Sequence, residues 1–184
     1  MDHDEARERL LTAAEDLYYP RGIHAVGMDE VRDRAGVSLA RLYRLYPSKQ
    51  HLVAGYLRAR DERWRARLAS YVDAHAPAGA GSRARLLAVF DWLAAWFAEP
   101  GYRGCAFINA WGEIGSSEDL VAAAVREHKE LFRDYLVGLA VDLPDPVEAA
   151  EQIQTLAEGA MVTSAILGGQ AAARARSAAA AVLR

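Results

Sequence analysis

The chain has 184 residues, 52% of them hydrophobic and 26% charged, with a formal net charge of −3. That is enough for one domain of ordinary size or a small module joined to a larger one, and the balance excludes a disordered chain. No apolar run approaches the roughly 20 residues that span a bilayer, and a single cysteine, Cys105, excludes an internal disulfide framework and a multi-cysteine zinc site.

The start, MDHDEARERL, lacks the cationic lead and apolar stretch of a secretory signal, so the expected location is the cytoplasm. Apolar spacing is helical throughout and no segment alternates as a strand, which predicts an all-α protein. A first helix runs from about Asp4 to Tyr19, with Pro20 and Gly22 ending it. A short second helix, about Asp29 to Ala35, stops at Gly36, a position suited to a left-handed C-cap. Ser38 is a good N-cap for a third short helix, Leu39 to Tyr46, before Pro47. Ser48 caps a long fourth helix, Lys49 to His75, which APAGAGS breaks at 76–82. Further helices fit Ser82 to Ala98, Gly104 to Ile114, Glu118 to Val141, Pro146 to Leu167 and Gln170 to Leu183. The start of the eighth is marked by Asp145 as cap, Pro146 at the first position and Glu148 as the second half of a capping-box-like pair.

Charge is distributed unevenly along this framework. Residues 32–67 hold ten basic side chains against three acids, a surplus of +7, which leaves −10 on the rest of the chain. Two readings are open: a surface that meets a polyanion, or arginines that solvate a long helix. Within this stretch, two short helices joined by AGVS have the length and turn chemistry of a helix-turn-helix, whose second helix enters the DNA major groove. Spacing turns Leu42, Tyr46 and Val37 inward and leaves Leu39, Ala40, Arg41, Tyr43 and Arg44 near the outer side.

The segment GMDEVRDRAGVSLARLYRLYPSKQHL resembles the DNA-binding motif of the TetR family of transcriptional regulators, and the likeness runs upstream through LLTAAEDLYYPRGIHAVGMDEV, covering about residues 6–53. YRGCAFINAWGE is similar to a Gly-Cys segment at the family's sixth helix. The chain departs from the family pattern at Ala40 and Arg41, where Gly and then Thr, Ala or Ser usually precede Leu-Tyr, at Tyr46, where Phe is usual, and at Val31-Arg32, where Ile-Ala is usual.

The resemblance implies an N-terminal three-helix helix-turn-helix module, residues 1–50, and a C-terminal helical ligand-binding and dimerisation bundle, residues 51–184, about nine helices in all. It also implies DNA contacts by position. Tyr43 and Lys49 are expected on phosphates, Leu39, Ala40 and Arg41 on base edges, Arg44 on either, with Ser38 at the start of the reading helix.

In the body, Trp92, Trp96, Phe107, Asn109, Trp111, Glu113 and Met161 have the mix of large apolar and polar-tipped groups that lines an effector cavity; the same residues also suit a plain helical core. Cys105, Glu113 and His128 show no nucleophile-elbow or metal-ligand spacing, so no catalysis, metal or cofactor is expected. Small residues in EGAMVTSAILGG and QAAARARSAAAAVL suit close helix approach, either between two copies, as in the family, or within one. The expected function is a ligand-responsive homodimeric repressor released from a palindromic double-stranded operator by a small molecule, with an activator of the same fold and a small-molecule-binding protein without DNA binding as alternatives.

Overall fold

The structure is a computed structural model that describes residues 2–115 and 117–183. Among the described residues it contains α-helices, one 3-10 turn and one π-turn, and no strands. The helices are α1 (His3–Arg21), α2 (Met28–Ala35), α3 (Leu39–Leu45), α4 (Lys49–His75), α5 (Ser82–Phe97), α6 (Ala106–Ala110), α7 (Asp119–Leu139), α8 (Pro146–Leu167) and α9 (Ala171–Val182). The 3-10 turn is Ala78–Ala80 and the π-turn is Trp111–Gly115. Among the described residues, no helix is long and apolar enough to cross a membrane.

Two compact units are formed. One comprises Met1–Glu62 with Ala106–His128, and the other comprises Arg63–Cys105 with Lys129–Arg184. In the first, α1 packs on α2 and α3. Its core is Leu10, Ala14, Tyr18, Val26, Val31, Leu42, Leu52, Val53 and Leu57, all essentially inaccessible. In the second, α5, α8 and α9 pack together around Leu86, Phe90, Leu93, Ile153, Ala157 and Ala179.

Local signals set most boundaries. Asp2 caps α1 by accepting the Glu5 N–H at 2.8 Å. Asp145 caps α8 in the same way, taking the Glu148 N–H at 2.9 Å. The expected reciprocal half of that box is not made, because the Glu148 carboxylate instead accepts from Gln152 Nε2 at 3.1 Å, one turn along. Pro20 lies inside α1 rather than ending it. Its fixed φ fits a helix, and the end comes at Gly22, whose φ of +88° leaves the helical region while its N–H still bonds Tyr18 O at 2.9 Å. The Ser48 carbonyl accepts the Leu52 N–H at 3.2 Å as α4 begins, and the Ser48 hydroxyl lies 2.8 Å from Nδ1 of His51.

The largest departure is at the sixth helix. Only Ala106–Ala110 is α-helical, and the backbone then widens into the π-turn, where Gly112 and Gly115 give the α-helix little propensity to hold it.

Candidate nucleic-acid interface

The connection between α2 and α3 is short because its two ends are specified locally. Gly36 takes the left-handed conformation, φ 66° and ψ 35°, and its N–H bonds Arg32 O and Asp33 O, closing α2. Two residues on, Ser38 is extended and its Oγ accepts the Arg41 N–H at 3.4 Å, opening α3. Val37, between the caps, is buried, as are Leu42 and Tyr46. These three side chains fix α3 by its inner face.

What remains of α3 faces outward. Leu39 and Tyr43 are each 46% exposed. Ser38, Ala40 and Arg44 are exposed, and Arg41 is half-buried. Lys49, also half-buried, sits at the first position of α4. Burial pulls its pKa below the usual lysine value, while the Glu113 carboxylate pushes it back up. Tyr43, Arg44 and Lys49 therefore supply a hydroxyl and two cations around a helix slim enough for the major groove, the donor set that phosphates and base edges accept.

The basic surplus of 32–67 is smaller in the fold than in the sequence. Arg34 pairs with Asp16 at 2.8 Å, Arg58 with Glu127 at 2.9 Å, and Arg60 with Glu15 while lying 4.0 Å over the Tyr19 ring. In the other unit Arg67 pairs with Glu99. Most arginines of α4 thus meet acids from elsewhere in the chain, whereas Arg44 on α3 faces outward.

The body residues expected around an effector are divided between the units. Trp92, Trp96 and Met161 are buried in the second. The Trp92 and Trp96 rings stack at 5.5 Å, and Trp64 meets them edge-on at 5.0 and 5.8 Å and meets Phe132 at 5.2 Å. Tyr102 meets Trp96 edge-on at 5.1 Å and donates its hydroxyl to Met161 O at 2.9 Å.

Phe107, Asn109, Trp111 and Glu113 lie in the first unit. Phe107 is buried and stacks on the His128 ring at 3.6 Å. Asn109 and Trp111 both stand exposed, with Arg126 5.8 Å from the Trp111 ring. The Glu113 carboxylate is engaged, accepting the His24 N–H at 3.0 Å.

Sequence reasoning missed two features. His24 and Glu113 meet across 89 positions, and Asp61 and His128 form a buried pair across 67, with Nδ1 of His128 donating to Oδ1 of Asp61 at 2.7 Å. No local spacing marks either. Cys105 is buried, with Lys129 Nζ 3.9 Å from its sulfur. Among the described residues, no group of three or more His, Cys, Asp or Glu side chains is placed to hold a metal ion.

Comparison with known proteins agrees with this geometry. The sequence profile of "Bacterial regulatory proteins, tetR family" matches residues 10–56, from the middle of α1 into α4. A TetR-family transcriptional regulator from Streptomyces coelicolor is 31% identical, with 98% of this chain and 95% of that one covered and a TM-score of 0.85. The reduced form of Escherichia coli NemR shares the fold at 20% identity, with 95% and 94% covered and a TM-score of 0.82. The HTH-type transcriptional activator FasR of Mycolicibacterium smegmatis is 47% identical over 57 residues, 31% of this chain; the chain spans about a quarter of that activator's length, 26%. Family and fold are those of regulators, not enzymes. With a helix-turn-helix head matched by the family profile and a near full-length relative above 30% identity, the chain belongs to the TetR family of DNA-binding transcriptional regulators.

Proposed function

We propose that this regulator is a homodimeric repressor that leaves a palindromic operator when a small molecule binds its body. Residues 1–50 form the DNA-reading head, and residues 51–184 form the effector-binding and dimerisation body. The observation that carries the DNA half is the outer face of α3, where Leu39 and Tyr43 stand 46% exposed while Leu42 between them is fully buried. On that face Leu39, Ala40 and Arg41 read base edges, Tyr43 and Lys49 hold phosphates, Arg44 reaches either, and Ser38 sets the start of the helix. The protein acts in the cytoplasm, where its DNA is.

The dimer half rests on α8 and α9. Ile166 and Leu167 are 73% and 79% exposed, and Val162 and Val182 are exposed with them. Such a set of outward apolar side chains on two adjacent helices suits a mate of the same kind. Two heads about 34–36 Å apart would then meet successive major grooves. The effector is read by Trp92, Trp96 and Met161, the large apolar groups of the second unit. It acts through a difference in affinity between the DNA-competent arrangement and another one.

A second reading, an activator of the same architecture, is favoured by one observation, the 47% identity of a 57-residue segment to the activator FasR. Selection of duplexes from a random pool, followed by sedimentation of the complex, tests the proposal. The expected result is a palindromic consensus bound by two chains; a single chain on an asymmetric site refutes it. Transcription in vitro from a promoter carrying the selected site separates repression from activation.

A further inference from the structure

Glu113 occupies the middle of the π-turn, and both its side chain and its backbone reach the connection between α1 and α2. Its Oε2 accepts the His24 N–H at 3.0 Å, and its carbonyl accepts from Nε2 of the same histidine, also at 3.0 Å. The approach is close on the other side as well. A Cβ on Gly22 would stand 3.1 Å from Oε2 and 3.3 Å from Oε1, so the carboxylate packs closely against the Gly22 backbone.

The connection held in this way feeds the reading head. Ile23 and Val26 bury themselves from within it, Arg21 at the end of α1 pairs with Glu30 in the first turn of α2, and α2 packs on α3. Where residues 22–27 sit therefore sets where α2 begins and how α3 is presented.

We propose that Glu113 is a positioning residue for the DNA-reading head: it fixes the α1–α2 connection through its two hydrogen bonds with His24. The proposal rests on the assignment of α3 and Lys49 to DNA. A π-turn suits the task, because π-bulges are frequent at functional sites and a change of register by one residue turns the side chain by about 100° on a helix. Movement of the segment after α6 would then release the connection without any direct contact to DNA.

Two substitutions separate holding from charge. Glu113→Gln keeps an oxygen for the His24 N–H and removes the charge; Glu113→Ala removes both. The probes are a duplex selected by the unmodified protein from a random pool and a scrambled duplex of the same composition, each titrated across a salt series. Hydrogen exchange of residues 22–27 is followed in the DNA-free protein.

Glu113→Ala is expected to speed exchange of the His24 amide and lower affinity for the selected duplex by about tenfold, the scale of one hydrogen bond to a charged group, with a smaller loss on the scrambled one. Glu113→Gln is expected to keep slow exchange and to bind the selected duplex nearly as tightly as the unmodified protein. Unchanged exchange at His24 in Glu113→Ala, or an equal loss of DNA affinity in the Gln and Ala variants, overturns the positioning role. Failure of the DNA assignment has a different signature: Lys49→Ala with an unaltered salt dependence, while the exchange difference between the two Glu113 variants persists.

Discussion

His128 and Asp61 form a buried pair, with Nδ1 donating to Oδ1 at 2.7 Å and the two side chains 2% and 8% exposed. Phe107 covers one face of the imidazole at 3.6 Å, its plane within 6° of parallel. Removing one partner leaves the other polar group without its mate in a dry site. His128→Ala should therefore lower stability by about 3–5 kcal/mol, the range for breaking a buried pair. The Asp61→Leu/His128→Phe double variant should recover part of that loss. Urea unfolding of the single and double variants reads the coupling, and strict additivity would show that the pair does not act as a unit.

Two of the three cations assigned to DNA, Arg41 and Lys49, should fail differently. Arg41→Ala should remove a base contact, costing about 1–3 kcal/mol on a selected operator with nonspecific binding nearly intact, and guanine is the expected partner. Lys49→Ala should weaken all sequences alike and reduce the slope of log affinity against log salt by about 0.9 for each phosphate that the lysine neutralises. Titrations on selected and scrambled duplexes across a salt series distinguish the two; a sequence-blind loss from Arg41→Ala would make it a phosphate contact.

For dimerisation the outward side chains of α8 are the ones to test. Ala160, one of the small residues of the EGAMVTSAILGG segment, is 4% exposed and faces its own unit, so enlarging it would overpack that core. Ile166 and Val162 point outward instead. Ile166→Glu should shift the monomer–dimer equilibrium toward monomer and weaken operator binding with it, because a charge buried at an interface without a partner is costly. Sedimentation equilibrium measures the first effect and operator titration the second. An unchanged dimer would place the interface elsewhere.

Buried tyrosines make the fold sensitive to alkali. The Tyr18 and Tyr135 hydroxyls are enclosed without a hydrogen-bond partner among the described residues, and burial pushes both pKa values up, that of Tyr135 to about 12. A raised phenol pKa means that the folded state holds the proton more tightly than the unfolded chain. Stability should be flat below the unfolded value of about 10 and fall as the pH rises from there toward 12. Tyr18→Phe, which deletes an unpaired buried hydroxyl, should be neutral or stabilising at pH 7 and should make the alkaline decline shallower. Thermal unfolding between about pH 8 and 11, a range that brackets the unfolded phenol value, checks both.

Much of this protein was legible in the sequence because the deciding interactions span four residues or fewer. Gly36 and Ser38 bound the turn, Asp145 caps α8, and the spacing of Leu42 and Tyr46 turns the inner face of α3 inward; each outcome follows from backbone geometry alone. The all-helical class and the bounds of α4 and α8 follow from the same short-range rules. Periodicity says which face of a helix is buried, but not what it is buried against. For that reason only the tertiary structure decided that arginines of α4 meet Glu15, Glu99 and Glu127, that Trp111 stands exposed while Trp92 and Trp96 pack on Trp64, and that Ala160 faces inward. The same holds for Glu113 at the His24 backbone and for Asp61 against His128. Such partners lie tens of residues apart, and their pairing depends on where whole helices come to rest, a property that no local pattern of charge or hydrophobicity encodes.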